Sequence, residues 1–443
     1  MMSVAQPLDL APDVPSLARR LAPTHGLSLL WSADGSGPSY LACQPVAVAN
    51  GLDPEPSLPI GVRAPVGGAS LSAPPRWIGI LPYEAFRDQE RPTARSGSDQ
   101  RPVPPHQRPV WFRYDAVLRI DHEVTAIGET TAAVERLVRQ VQSAPRTPAS
   151  VHLQRLGSAM DRDHLERIAR AQELILDGDL YLVNLARRLS FAAQGDDIDL
   201  LQRLVEQSRP PFGAYLHLGD TRVCSTSPEL FLKLGTDRAL LTSPIKGTRP
   251  RAGDAERDRA VAGLLDSDLK ERAELAMVID VERNDLGRVA EVGSIRLSGA
   301  PRVVPCGPVW HRMADITAQL DPQFDRAALL KSMAPSGSVT GAPKVRAMEV
   351  IAQLEATRRG LYTGALGYID QDGGMTLSMA IRTLVLQDPT ARRAGSASGV
   401  FAGATEASYF VGGGIVIDSD PARELQETEW KAQQLLALCD PGA

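Results

Sequence analysis

Cysteine is scarce in this chain of 443 residues: Cys43, Cys224, Cys306 and Cys439 are the only four, and no two form a C-x-x-C pair. Neither a disulfide scaffold nor a zinc knuckle is expected, and a reducing, cytoplasmic setting is the default. An excess of charge of one sign is also missing. Lys and Arg total 48 against 53 Asp and Glu, and the basic residues are interspersed with acids. No basic stripe with stacking aromatics marks a nucleic-acid partner. Uninterrupted apolar runs approaching ~18 residues are absent too, and the opening MMSVAQPLDLAPDVP lacks a basic segment followed by an apolar one. Neither a membrane span nor secretion is expected.

What is present is a chain with enough apolar residues for a sizeable core and a change of texture along its length. Residues 1–150 are proline-rich, with strand-like runs at LSLLW (27–31) and WIGILPY (77–83) and an exposed loop at 91–109. The segment SAPRTPAS (143–150) reads as a linker, because proline, serine and threonine cluster between two periodic regions. From Asp161 or Asp163, either a possible cap, the pattern is helical up to Gly178. Short β-branched or leucine-rich runs then begin at 181–191, and long helices are expected over 254–286, 326–333, 343–357 and 422–439. Strands and helices do not alternate regularly, so the fold class is α+β rather than a doubly wound sheet.

Several residues have chemical potential. In S-P-I-K-G-T-R-P, Lys246 leaves a strand beside Gly247; such a lysine is ordinarily a surface residue, but a neutral amine there could act as a nucleophile. Glu271 and Glu274, and Glu424 and Glu427, are spaced i, i+3, so each pair shares one helical face. Two such faces brought together make an oxygen-rich cage suited to Mg²⁺, although glutamates at this spacing are common on solvated faces. Gly412, Gly413 and Gly414 could bring amides close to an anion or form a tight turn. His311 and Arg382 individually say little, and G-S-V-T-G-A-P-K (337–344) lacks the ending of a phosphate loop.

In order, these segments resemble the chorismate-utilising enzyme family, which includes the large subunits of anthranilate synthase and aminodeoxychorismate synthase, isochorismate synthases and salicylate synthases. The resemblance is strong over about 160–435, through SPELFL (227–232), SPIKGTRPR (243–251), DLKERAELAMVIDVERNDLGRVA (268–290), GSVTGAPKVRAMEVI (337–351), SMAIRTL (378–384) and GGGIVIDSDPARELQETEWKA (412–432). It implies a β-sandwich of two mainly antiparallel sheets flanked by helices. It also implies an N-terminal lobe over 1–150 and a chorismate-binding catalytic domain over 151–443. Carried over residue by residue, Glu274 and Glu427 would ligate Mg²⁺, with Glu271 and Glu424 in support. Arg382, Lys431, Tyr362 and the amides of Gly412, Gly413 and Gly414 would hold the substrate carboxylates. Thr340 and His311 would line the ring, and Glu229 would be the general acid for the departing C4 hydroxyl.

Lysine in P-I-K-G-T resembles the aminodeoxychorismate synthase branch, since anthranilate synthases usually carry alanine there. The implied reaction is attack of Lys246 on C2, followed by displacement with ammonia at C4 to give 4-amino-4-deoxychorismate, a precursor of 4-aminobenzoate and folate. Leu182 stands where isochorismate and salicylate synthases carry a water-activating lysine. Trp31 stands where tryptophan-regulated relatives often have glutamate, and Ser336 occupies a place often held by glycine. The chain is expected to carry no glutaminase or pyruvate lyase domain, so ammonia would come from a separate glutamine amidotransferase subunit. The competing readings are anthranilate synthase component I and, in another class, a non-catalytic regulator binding chorismate or tryptophan.

Overall fold

Alternation within single strands sets the architecture. In Thr221–Ser227, Val223 turns to one face and Cys224 to the other, and both are fully buried. The same happens in Pro75–Leu81, where Ile78 and Ile80 share one face and Trp77 and Leu81 the opposite one. Successive side chains on a strand point to opposite faces, so strands apolar on both sides must be covered on both sides. The computed structural model, which describes residues 4–22, 24–61, 73–87, 99, 101–147, 150–157, 160–387 and 400–439, meets that demand with stacked sheets and outer helices.

Among the described residues the larger sheet has twelve strands and the smaller nine, with a three-stranded ribbon beside them. Their inner faces meet through Tyr40, Leu216 and Val223 from the larger sheet and Ile78, Ile80 and Leu366 from the smaller. Outside the larger sheet lie the helices Val14–Leu21, Thr131–Val141, Asp197–Ser208 and Pro421–Leu436. Outside the smaller lie Leu269–Gly287 and Arg326–Met333. The molecule is thus the α+β sandwich of antiparallel sheets flanked by helices that the resemblance implied. N-terminal strands continue both sheets: Ser28–Trp31 pairs with Phe212–Leu218, and Pro75–Leu81 with Ala365–Asp370.

Some boundaries differ from the sequence reading for identifiable reasons. The helical stretch 254–286 is two helices, Ala255–Ser267 and Leu269–Gly287. They break at Asp268, whose backbone is extended and whose carboxylate accepts from the amides of Lys270 and Glu271. An aspartate there caps the second helix better than it continues the first. In the sequence, 388–408 reads as an extended loop between two strands; 388–399 lie outside the described residues, but from residue 400 the chain is already strand, Val400–Ile415, paired along Leu182–Asp196. The expected loop 91–109 and linker 143–150 also fall partly outside the described residues, at 91–98 and 100 and at 148–149.

Candidate active site

A β-bulge positions the lysine. Strand Ile245–Pro250 pairs with Val309–Met313, and its register shifts between Lys246 and Thr248, leaving Gly247 as the extra residue. Gly247 has φ +76, and a Cβ there would lie 2.9 Å from Glu271 Oε2. Both the left-handed backbone and the close approach of the acidic helix require glycine. Lys246 is consequently only 8% exposed, in the wall of a cleft that encloses ≈ 850 Å³, its solvent-open mouth included.

Two helices bring the acids to this cleft. Glu271 and Glu274 project from Leu269–Gly287, and Glu424 and Glu427 from Pro421–Leu436. Asp268 and Asp420 cap the two N-termini through the amides of Glu271 and Arg423 respectively, which fixes where each acidic turn begins. Burial pushes Glu274 up to about 7, with Glu271 and Glu424 adding to the rise against Lys246 and Lys270. Glu271 also rises, through burial and the Glu427 charge. For Glu427 burial is outweighed by Lys431, 2.6 Å away, and its carboxyl is held below the usual range. Lys270 bridges the helices, 3.0 Å from Glu424 and 3.7 Å from Glu274.

The opposite wall carries Glu229, which accepts a hydrogen bond of 2.8 Å from Ser338 Oγ. Burial drives its carboxyl up to about 7 despite Ser338 and Lys246, so at neutral pH it is divided between acid and base. His311 Nδ1 lies 3.0 Å from the Gly247 carbonyl. A carbonyl needs a donor, so the ring proton belongs on Nδ1 and Nε2 presents a lone pair, buried without a partner among the described residues. Burial, then Arg382, pushes this imidazole down to about 3, so it stays neutral. Arg382 also lines the cleft and makes no ion pair among the described residues, leaving its guanidinium available to an anion.

The glycines leave space. Strand Thr383–Gln387 accompanies the glycine strand only as far as Leu384 opposite Tyr409, so from Phe410 onward that edge has no strand partner among the described residues. A Cβ on Gly414 would lie 3.3 Å from Glu274 Oε2 and 3.5 Å from Lys246 Nζ; acid and amine both reach the open face of Gly414. Lys431 donates to the Gly412 carbonyl at 2.8 Å, while Tyr362 stacks on Phe410 at 5.3 Å.

Lys246, Glu229, His311, Tyr362, Arg382, Lys431, Gly412, Gly414 and all four glutamates therefore share one cleft. Thr340 and Gly413 are not in its wall. Thr340 is fully buried and donates to the Ser336 carbonyl at 2.7 Å, while Gly413 backs onto Glu424. Sequence reasoning missed Asn184, Ser338 and Lys270, which do line the cleft. Asn184 was visible as a polar residue inside the apolar run Y-L-V-N-L, and its buried Oδ1 has no partner among the described residues. Lys270 lies one turn before Glu274 on the same helical face.

The acidic turns suit a hard divalent cation in donor type and charge: carboxylate oxygens, two of them raised in pKa by burial and mutual repulsion, which a cation would relieve. As the side chains stand, no three carboxylate, imidazole or thiolate groups among the described residues converge on one point. A hard cation there would draw part of its shell from water.

Comparison with known proteins identifies the family. The model of the chorismate binding enzyme family matches residues 62–437. Aminodeoxychorismate synthase component 1 of Klebsiella aerogenes is 34% identical over 410 residues, covering 91% of this chain and 83% of that protein. Anthranilate synthase component 1 of Streptomyces coelicolor is likewise 34% identical, over 467 residues, covering 97% and 86%. Among solved structures, the menaquinone-specific isochorismate synthase of Escherichia coli superposes with a TM-score of 0.73 at 17% identity, covering 99% of this chain and 94% of that one. Anthranilate synthase component I of Streptococcus pneumoniae gives 0.69 at 24% identity, covering 98% and 92%. These likenesses in structure are likenesses of fold. With the family model spanning most of its length and the acidic, cationic and glycine elements meeting in one cleft, the chain belongs to the chorismate-binding enzyme family.

Proposed function

We propose that this enzyme aminates chorismate at C4 to give 4-amino-4-deoxychorismate, through a covalent intermediate on Lys246. The observation that carries the reading is the buried position of Lys246 Nζ, facing Gly414 and Glu274 in the cleft that Glu229 also lines. Relatives making anthranilate and relatives making aminodeoxychorismate are equally similar in sequence, so the choice rests on this side chain. A lysine lying where a nucleophile would approach C2 obstructs direct attack by ammonia and supplies an amine of its own.

In the proposed sequence the neutral Lys246 amine forms a bond to C2 as the C4–O bond breaks, and Glu229 protonates the departing oxygen so that it leaves as water. Ammonia then bonds to C4, the C2–N bond breaks, and Lys246 recovers its electron pair. Two allylic displacements replace one difficult substitution. Arg382, Lys431 and Tyr362 hold the carboxylates, with amides of the glycine strand in support, and His311 Nε2 accepts from a substrate hydroxyl. Glu274 and Glu427 would hold Mg²⁺, assisted by Glu271 and Glu424; the metal supplies charge neutralisation at the ring carboxylate. The relatives' designation as component 1 supports a partner subunit, which we take to be a glutamine amidotransferase delivering ammonia. The described helices include none long and apolar enough to cross a membrane.

The test is mass-resolved chromatography of products from chorismate, Mg²⁺ and an ammonium salt at mildly alkaline pH. 4-Amino-4-deoxychorismate is the expected product. Anthranilate with pyruvate would overturn the assignment of Lys246 and favour component I of anthranilate synthase.

A further inference from the structure

Behind Glu229 runs a line of hydrogen bonds that ends at a carboxyl outside the cleft. Ser338 Oγ is 2.8 Å from Glu229 Oε1, Ser336 Oγ is 2.9 Å from Ser338 Oγ, and Glu282 Oε1 is 2.7 Å from Ser336 Oγ. Thr242 Oγ1 donates to the other oxygen of Glu282 at 2.8 Å. Glu282 is 1% exposed, Ser336 2% and Ser338 3%. Among the described residues no lysine or arginine forms an ion pair with Glu282. The nearby Lys344 is committed to Asp285 at 2.7 Å.

Counting protons decides what this line is. Three oxygen-to-oxygen contacts join four groups, and each contact needs one proton. Ser338 and Ser336 supply one each, so the third must sit on a carboxyl. A dry carboxylate facing only neutral hydroxyls is costly, whereas a carboxylic acid there donates to Ser336 at no such cost. With the proton on Glu282 the bonds point one way: Glu282 to Ser336, Ser336 to Ser338, Ser338 to Glu229 Oε1. That leaves Glu229 Oε2 and its own proton for the cleft.

We propose that Glu282 is a buried proton donor to Glu229, acting through Ser336 and Ser338, and hence a positioning residue for the general acid. The inference rests on the general-acid reading of Glu229. When Glu229 gives its proton to the departing oxygen, an O–H bond breaks at Glu282 and one forms at Ser336. The Ser336 proton passes to Ser338 and the Ser338 proton to Glu229, and the negative charge comes to rest on Glu282. The proton shed by incoming ammonia at C4 returns through the same groups, so none is gained or lost. The charges facing the pair are Lys246 and Lys431 at the Glu229 end and Asp285, neutralised by Lys344, at the Glu282 end. Consistent with a shared proton, burial raises Glu282 to about 8, with the Glu229 and Asp285 charges adding to it.

Two readouts test this on the full chain, one of them independent of turnover. Infrared spectra at neutral pH should contain a protonated-carboxyl C=O stretch that disappears in Glu282→Gln and shifts in Ser336→Ala. In steady-state assays both variants should lose about tenfold in kcat with KM for chorismate unchanged, and the alkaline limb of the kcat profile should move about one pH unit lower, one unit being tenfold in protonated fraction. An unchanged infrared spectrum together with superimposable pH profiles in either variant that folds would overturn the relay. If the carboxyl band behaves as expected but Glu229→Gln keeps the parental rate, the general-acid reading fails and with it the catalytic part of this inference, while the shared proton stands.

Discussion

The two groups of carboxyls around the cleft make an instructive contrast. Glu271, Glu274, Glu424 and Glu427 line it among Lys270, Lys431 and Arg249, whereas Glu282 lies behind the wall, joined to Glu229 through two buried serines. The same side chain thus meets different electrostatics. Beside Lys431 the Glu427 carboxyl is held below its usual range, whereas burial among neutral hydroxyls raises Glu282 to about 8; Glu274 and Glu229, each buried but facing lysines, lie between at about 7. The first group is suited to binding a charged substrate and the second to supplying protons to it.

The contrast can be broken from either side. The largest effect is expected between the groups: Glu229→Gln should lower kcat by about 10²–10⁴, the range for loss of a general acid, and Lys246→Ala should cost at least as much, with intact-protein mass spectrometry finding no covalent adduct. Near-parental rates in Lys246→Ala would dispose of the lysine intermediate. In the cleft wall, Glu274→Gln or Glu427→Gln should raise the Mg²⁺ concentration for half-maximal rate by about tenfold or more, measured by metal titration; a response like the parent's would reject the assignment of these ligands. Asn184→Ala, removing one neutral hydrogen-bonding group from the wall, should change KM for chorismate by about fivefold and leave the pH profile alone.

The smallest effect concerns stability and separates Glu282 from the carboxyls that line the cleft. Because Glu282 has a folded-state value of about 8 against about 4.3 unfolded, the native state binds the extra proton. Its contribution is fully present below the unfolded value and is lost as pH rises through the folded one. Denaturation midpoints should therefore fall between about pH 5 and about pH 9, and fall less steeply in Glu282→Gln. Equal slopes for both proteins would mean that the carboxyl is not protonated in the folded state.

Much of the site was legible in the sequence because its parts are locally specified. The i, i+3 spacing of Glu271 with Glu274 and of Glu424 with Glu427 needs only a helix to align each pair. Lys246 was expected to leave a strand beside a turn at Gly247, but both residues lie within strand Ile245–Pro250, where Gly247 is the extra residue of a bulge against Val309–Met313. Asp268 illustrates the opposite case. Helix-forming neighbours on both sides masked a residue that ends one helix and caps the next, since propensity summed over a window does not register a single extended residue. Thr340 was expected at the substrate ring only through the family resemblance; its hydroxyl donates to the Ser336 carbonyl, as threonines readily do with nearby carbonyls.

By itself, the sequence determined the periodicities, the caps and the order of chemically charged segments, all consequences of neighbours within a few residues along the chain. The tertiary structure decided which distant segments share a surface. It joined Ser28–Trp31 and Pro75–Leu81 to strands nearly two hundred or more residues away. It set Lys270 between two acidic helices, and it aligned Glu282 with Glu229 through serines 54 and 109 positions from their respective partners. No local rule specifies such contacts, because a proton's position depends on dielectric and on partners in space, and those exist only once the chain is packed.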